Sequence, residues 1–410
     1  MAAADDIDAR TSPLSPPALT PGAHDHWQGL AGCASSLALV QAAEAADALT
    51  VAVVADEHRA YRLEEELRFF AGDSLVIRHF PDWETLPYDV FSPHADIVSE
   101  RLALLHALPG MGRGILIVAA DTLLQPLPPT TFVDARAMVF EVGQQLDFHA
   151  LRQRLEAAGY AAVSEVRTHG EYAIRGAVMD LYPMGAATPY RLDLFDDEID
   201  TIRAFDPETQ RSTDRIDTIR LLPAREFPLD DEAIKAFRQR YRQALEGDPG
   251  NSVIYRDVSR GVPPGGIESY LTLFFDGTAS LFDYLPAHAR AVELGDVAAA
   301  VDSAWTALSA RYEQRGVNPE RPLLPPEAEV TLLGDGEFDG IGLLAQVDAY
   351  GWQYVCRTAK NTIIWQGQIS FPLTAFDVQE GQRISCKGVR FTGQAYGPVQ
   401  LILWWAKGYK

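Results

Sequence analysis

Three short apolar runs, TVAVVAD (50–56), SLVIRHF (74–80) and GILIVAA (114–120), are separated by stretches long enough for helices. This alternation restricts the fold more than any other feature, because strands joined by helical crossovers lie parallel in one sheet. The helix after the first run places Ala60, Leu63, Leu67 and Phe70 on a single face. A second helix is predicted around Ile97 to Leu108, and Gly114 and Asp121 bound the third strand. The front of the chain is therefore read as an α/β domain on a parallel sheet.

The period then changes. After a short amphipathic helix over 149–160, alternation in twos runs through AIRGAVMDLYP and PYRLDLFDDEIDTIRAFD, which predicts a β-rich domain. PMGAAT, small and turn-forming, joins the two as an antiparallel hairpin. Positions 191, 193 and 195 point one way and Leu192 and Leu194 the other, so Arg191 and Phe195 share the face opposite the leucines. Arg175 lies on the first of the two strands. An exposed arginine beside an aromatic is the composition of an interface hot spot. Spacing leaves a second reading open, a surface salt bridge from Arg191 to Asp193 or Asp196. Helical patterns return near residue 223, most clearly in EAIKAFRQRYRQALEG.

Several chemistries lack their residues. A phosphate loop needs a lysine for the β- and γ-phosphates and a hydroxyl for magnesium; in GLAGCASSLALV, Gly29 and Gly32 are followed by Ala34, Ser35 and Ser36, and no lysine occurs from 27 to 60. In PDWETLPYDVFSPHADIVSERL, His94 among carboxylates invites an acid/base reading, yet Pro87 and Pro93 make the segment an extended loop, with Asp96 and Ser99 as helix-start residues. Asp335, at a strand end in LLGDGEFDG, is where a nuclease-type fold would carry a metal-binding carboxylate, but one carboxylate does not hold two magnesium ions. Cys33, Cys356 and Cys386 are far apart, which suggests neither a zinc site nor a disulfide framework. No cofactor or metal is expected.

A net charge of −22 opposes phosphate backbones, so direct nucleic-acid binding is not expected. Residues 327–410 hold eight acidic and seven basic side chains, so nearly all of that negative balance belongs to the front piece. No run of 18 apolar residues predicts a membrane span, and the acidic, proline-rich start is read as a disordered tail on a cytoplasmic protein.

FPDWETLPYDVFSPHADIVSERL, RGILIVAADTLLQ, HGEYAIRGAVMDLYPMGAATPYRLDLFDDEIDTIRAFDPETQRS, LLPAREFP, GIESYLTLFF and RGVNPERPLLPP together resemble the N-terminal third of the bacterial transcription-repair coupling factors, the Mfd family. The resemblance covers about residues 25–326. It implies a degenerate RecA/UvrB-like parallel-sheet domain without ATPase motifs, into which a β-rich UvrA-binding domain is inserted. UvrA becomes the expected partner, and the family's contact residues fall on Arg175, Arg191 and Phe195. From about residue 330, LLGDGEFDG, YGWQYVCRTAKN and WWAKGYK are similar to a DDE insertion-sequence transposase, which implies a partial RNase H-like fragment with Asp335 as a vestigial catalytic carboxylate.

The expected layout is a tail (1–24), the α/β domain in two parts (25–136 and 223–326), the UvrA-binding domain (137–222), a junction (327–331) and the transposase-like fragment (332–410). The expected function is a non-catalytic UvrA-binding adaptor of nucleotide-excision repair, without the RNA-polymerase contact and the DNA-translocase motor of the family. The alternative is an inactive transposase fusion product with no selected function.

Overall fold

A computed structural model describes residues 11–20 and 25–326, together with the backbone of strands between residues 331 and 404. The chain divides into two units, 1–329 and 330–410.

The first unit opens with α1 (Ala34–Ala45), β1 (Leu49–Val54), α2 (Glu57–Ala71), β2 (Ile77–His79), α3 (Ala95–Ala107) and β3 (Gly114–Ala119). Every residue of β1 and β3 is buried, which is why both read as continuous apolar runs rather than alternating ones. The Asp56 carboxylate accepts from the Arg59 amide to start α2, which buries Ala60, Leu63 and Leu67. On one side of the sheet Leu63 and Leu67 of α2 pack with Leu39 and Val40 of α1 against Ile115 and Ile117.

The chain then leaves this sheet for a β-rich excursion. It comprises α4 (Thr130–Arg136), β4 (Met138–Glu141), α5 (Phe148–Ala157), β5 (Ala161–Ala162), β6 (Glu171–Arg175), β7 (Val178–Leu181), β8 (Tyr190–Phe195), β9 (Glu198–Phe205), β10 (Ser212–Ile216) and β11 (Thr218–Leu221). Strands β5 to β10 form one sheet in the order β10-β9-β8-β7-β6-β5, antiparallel except for β5 on β6. Strands β4 and β11 pair with each other and hold the start and end of the excursion together. Its inner face is not an independent core: Leu181, Leu192, Ile199 and Ile202 share one cluster with Leu102 and Leu105 of α3 and with Val51 and Leu116 of the parallel sheet.

Then follow α6 (Asp231–Ala244), α7 (Val253–Val258), β12 (Arg290–Leu294) and α8 (Val297–Arg315). β12 returns to the parallel sheet beside β1, giving the order β12-β1-β3-β2. Sequence reading found three strands of this sheet and missed β12. As an edge strand its positions alternate between half-buried and exposed, so it lacks the continuous apolar signature of its neighbours.

Two local expectations change. AIRGAVMDLYP is not one strand but two, β6 and β7, folded back on each other at Gly176, whose φ of 63° is the left-handed conformation a tight turn needs. Arg175 therefore lies one strand away from the hairpin that PMGAAT closes. The α3 cap is also not Asp96 or Ser99: the His94 ring nitrogen accepts from the Asp96 amide. Asp96 and Ser99 instead reach into the β-rich excursion, Asp96 to His169 at 2.6 Å and the Ser99 hydroxyl to the Gly185 amide at 2.8 Å.

The proline-containing loop before α3 is held as structure. The Tyr88 amide donates to the Ser269 hydroxyl at 3.2 Å, and the Ser92 hydroxyl to Glu268 at 2.8 Å. Gly266, at φ 75°, lies so close that a Cβ there would fall 2.0 Å from the Asp89 carbonyl oxygen. Gly266→Ala is accordingly expected to destabilise the first unit by about 2 kcal/mol or more, since a left-handed φ and a backbone overlap add. A urea titration of both chains measures it, and a shift below about 0.5 kcal/mol would contradict the packing described.

In the second unit β13 (Thr331–Gly334), the strand read ahead of Asp335, pairs in parallel with β14 (Gln353–Cys356). The remaining strands, β15 (Ile363–Gln366), β16 (Ile369–Pro372), β17 (Arg383–Phe391) and β18 (Tyr396–Trp404), form an antiparallel sheet in the order β16-β15-β17-β18. The run VQLILW (399–404) pairs along β17 as part of β18. Asp335, with Glu337 and Asp339, lies outside the described residues.

Candidate protein-docking site

The site is built on the outer face of the six-stranded sheet. Register sets which side chains meet there: Asp180 of β7 stands opposite Arg191 of β8, and Arg191 opposite Arg203 of β9. Along β8, Leu192 is buried and Leu194 packs on the inner core, whereas Arg191, Asp193 and Phe195 face outward.

Asp180 organises this face. Its carboxylate is 0% exposed, and burying a carboxylate is tolerable only when cations and hydrogen bonds compensate it. Arg191 grips it with two parallel bonds, Nε to Oδ1 at 2.6 Å and Nη2 to Oδ2 at 2.9 Å, and Arg175 donates to the same Oδ2 from β6. The Arg191 guanidinium also stacks 5.1 Å from the Phe205 ring centroid and donates to the Gln210 carbonyl at 3.3 Å. Its pKa is raised above the ordinary arginine value, chiefly by the hydrogen bond to Asp180. Neither Asp193 nor Asp196, the partners that spacing offered, takes this role. Asp193 instead accepts from the Thr201 hydroxyl at 2.9 Å and pairs with Arg203 at 3.5 Å.

The three candidate residues thus differ in what they can offer. Arg191 is mostly enclosed, its fork occupied by Asp180. Arg175 is 51% exposed and keeps part of its guanidinium toward solvent. Phe195 is 74% exposed at the end of β8, where Asp196 with φ 55° begins the two-residue turn into β9. That tip is held firmly, by the Leu146 amide on the Asp197 carbonyl at 2.6 Å and the Leu194 amide on the Ala177 carbonyl at 2.8 Å. An aromatic ring presented from a fixed backbone gives up little entropy on contact, which suits an anchor.

This division makes a measurable distinction. Arg191→Ala leaves the buried Asp180 with Arg175 alone and is expected to cost about 2 kcal/mol of stability, whereas Arg175→Ala leaves the two-pronged pair intact and is expected to cost under about 1 kcal/mol. Chemical denaturation of the two variants would refute the assignment of roles if Arg175→Ala proved the more damaging.

Sequence reasoning did not single out Asp180, nor a second buried ion pair beneath the loop. Arg101 of α3 is wholly enclosed, with Nε 2.6 Å from Glu226, Nη1 on the Pro81 carbonyl at 2.7 Å and on Gln125 at 2.9 Å. Its guanidinium lies 4.6 Å from the Phe80 ring and 5.0 Å from that of Trp83. The glycine-containing segment before α1 has Gly29 and Gly32 at positive φ, with no lysine near it in sequence to meet a phosphate. Among the described residues no three His, Cys, Asp or Glu side chains group as a metal site would need, and no helix is long and apolar enough to cross a membrane.

Residues 138–227 match the UvrB interaction domain family, a span that contains the whole outer face just described. Over 300 residues the chain is 45% identical to the transcription-repair-coupling factor of Escherichia coli K12, covering 73% of this chain and 26% of that protein. The corresponding protein of Haemophilus influenzae is 44% identical over 297 residues, covering 72% and 26%, and that of Myxococcus xanthus 34% identical over 278 residues, covering 65% and 23%. Roughly the first three quarters of the chain is thus similar to part of the transcription-repair-coupling factors, and combines an α/β parallel sheet with a β-rich region that matches the UvrB interaction domain family. The chain spans about a quarter of the length of these curated relatives.

Proposed function

We propose that the β-rich domain docks this chain onto UvrA, as a non-catalytic adaptor in transcription-coupled nucleotide-excision repair. One observation carries the reading: within a UvrB interaction domain, a rigidly held and largely exposed Phe195 stands at the edge of a buried Asp180–arginine cluster that fixes the surface around it. Hot spots combine such an aromatic with arginine, and pre-organisation lowers the cost of binding. The absence of lysine from 27 to 60 supports the non-catalytic part of the proposal. Retention of the full chain on immobilised UvrA, without nucleotide, is the expected result. Passage through the column unretained would overturn the reading.

Residues 332–410 we assign to a transposase-derived segment joined to the coupling-factor-type front. The motifs LLGDGEFDG and YGWQYVCRTAKN support this, as does the parallel pairing of β13 with β14. One carboxylate, Asp335, does not hold two magnesium ions, so no strand cleavage is expected when the chain is incubated with DNA and magnesium.

A further inference from the structure

Arg203 and Arg215 continue the arginine line beyond Arg191. Arg203 stands directly opposite Arg191 on one side and opposite Arg215 of β10 on the other, so three guanidiniums occupy one cross-strand row on neighbouring strands. Like charges placed opposite one another in a sheet repel, and a sheet gains nothing in stability from such a row. The neighbouring carboxylates do not neutralise it. Asp180 is already shared by Arg175 and Arg191, and Asp193 meets Arg203 at 3.5 Å while also accepting from Thr201. Arg215 is exposed and has no ion-pair partner among the described residues, and the buried Nε of Arg203 has no hydrogen-bond acceptor. Three of these four arginines thus ion-pair with two carboxylates, Asp180 and Asp193, and the fourth, Arg215, with none among the described residues, in a chain whose net charge is −22.

A further observation points the same way. β10 is the outermost strand of the sheet, exposed at four of its five positions, so the row runs from the buried Asp180 cluster out to a free edge. Phe195 projects from this same face.

We infer that Arg203 and Arg215 are recognition residues of the docking surface, and that they read an acidic patch on the protein partner while Phe195 supplies the apolar anchor. The inference rests on the docking function proposed above and adds to it the charge of the surface that docks. Complementary charges at the rim of an interface act mainly on the association rate and are screened by salt. The partner's matching surface is therefore acidic, and the interaction weakens as ionic strength rises.

The test uses the full chain and purified UvrA in a kinetic binding assay at several salt concentrations. Arg203→Glu and Arg215→Glu are each expected to weaken binding about tenfold at low salt, chiefly through slower association, and to flatten its salt dependence. Arg203→Lys, which keeps the charge, is expected to stay near the parent chain, and Arg215→Glu breaks no side-chain hydrogen bond or ion pair among the described residues, so a loss of binding there with an unchanged unfolding midpoint is not a folding defect. Failure of the parent chain to bind UvrA would sink the docking function itself. Normal binding by the parent with unchanged rates and salt slope in both glutamate variants would sink this inference alone. So would a parent chain that binds duplex DNA through these arginines, with the variants losing DNA but keeping UvrA.

Discussion

Arg101→Ala is expected to cost the first unit about 3–5 kcal/mol, the range for removing one partner of a buried ion pair, and to lower its melting temperature by roughly 10 °C. The size follows from enclosure: Arg101 is 0% exposed and Glu226 4%, so truncation strands a carboxylate in a place water does not reach. It also removes the donor to the Pro81 carbonyl and to Gln125, and the cation between the Phe80 and Trp83 rings. Because Arg101 belongs to α3 and Glu226 to the chain just after β11, the pair ties the parallel-sheet region to the return of the β-rich excursion. Replacing both partners, as Arg101→Leu with Glu226→Leu, is expected to recover much of the loss, since two apolar groups leave no unpaired charge. Recovery will be incomplete, with the Pro81 carbonyl still unpaired. Thermal unfolding of the three chains decides: a single variant within about 1 kcal/mol of the parent would contradict the burial and bonding of Arg101.

Phe195→Ala should do the reverse, leaving stability unchanged and removing function. At 74% exposure the ring contributes little to the fold, so its loss is expected to move the unfolding midpoint by under about 0.5 kcal/mol. As the anchor of an interface it is expected to carry about 2 kcal/mol or more of binding, which is about a thirtyfold weaker complex with UvrA. The two readouts together separate an anchor from a packing residue. A ring that stabilised the hairpin tip would move both.

How far the sequence could be read depended on whether a signal was local. β1 and β3 were legible because burial on both faces writes continuous apolar text, and the outward set on β8 because alternation needs no knowledge of its neighbours. β12 was not legible, since RAVEL is short and its edge position leaves it half exposed. The fold-back at Gly176 was hidden inside what looks like one alternating run. Missing it displaced Arg175 by a strand and concealed Asp180, whose significance appears only when the register sets it opposite Arg191. Arg101 and Glu226 are 125 residues apart in the chain, and nothing in the pattern around either residue announces that an arginine on a helix will be enclosed. The same limit applies to Arg203 and Arg215, ordinary surface arginines in sequence that only strand pairing places in one row with Arg191.

That the outer face of the β-rich domain is a docking surface for UvrA can be checked by titrating purified UvrA with the full chain and with the Arg175→Ala, Phe195→Ala double variant. The parent is expected to form a saturable complex in the absence of nucleotide and DNA, and the folded double variant to bind at least a hundredfold more weakly, the combined loss of an aromatic anchor and a charged neighbour (about 3 kcal/mol). A double variant that is folded and binds UvrA as tightly as the parent would contradict the claim.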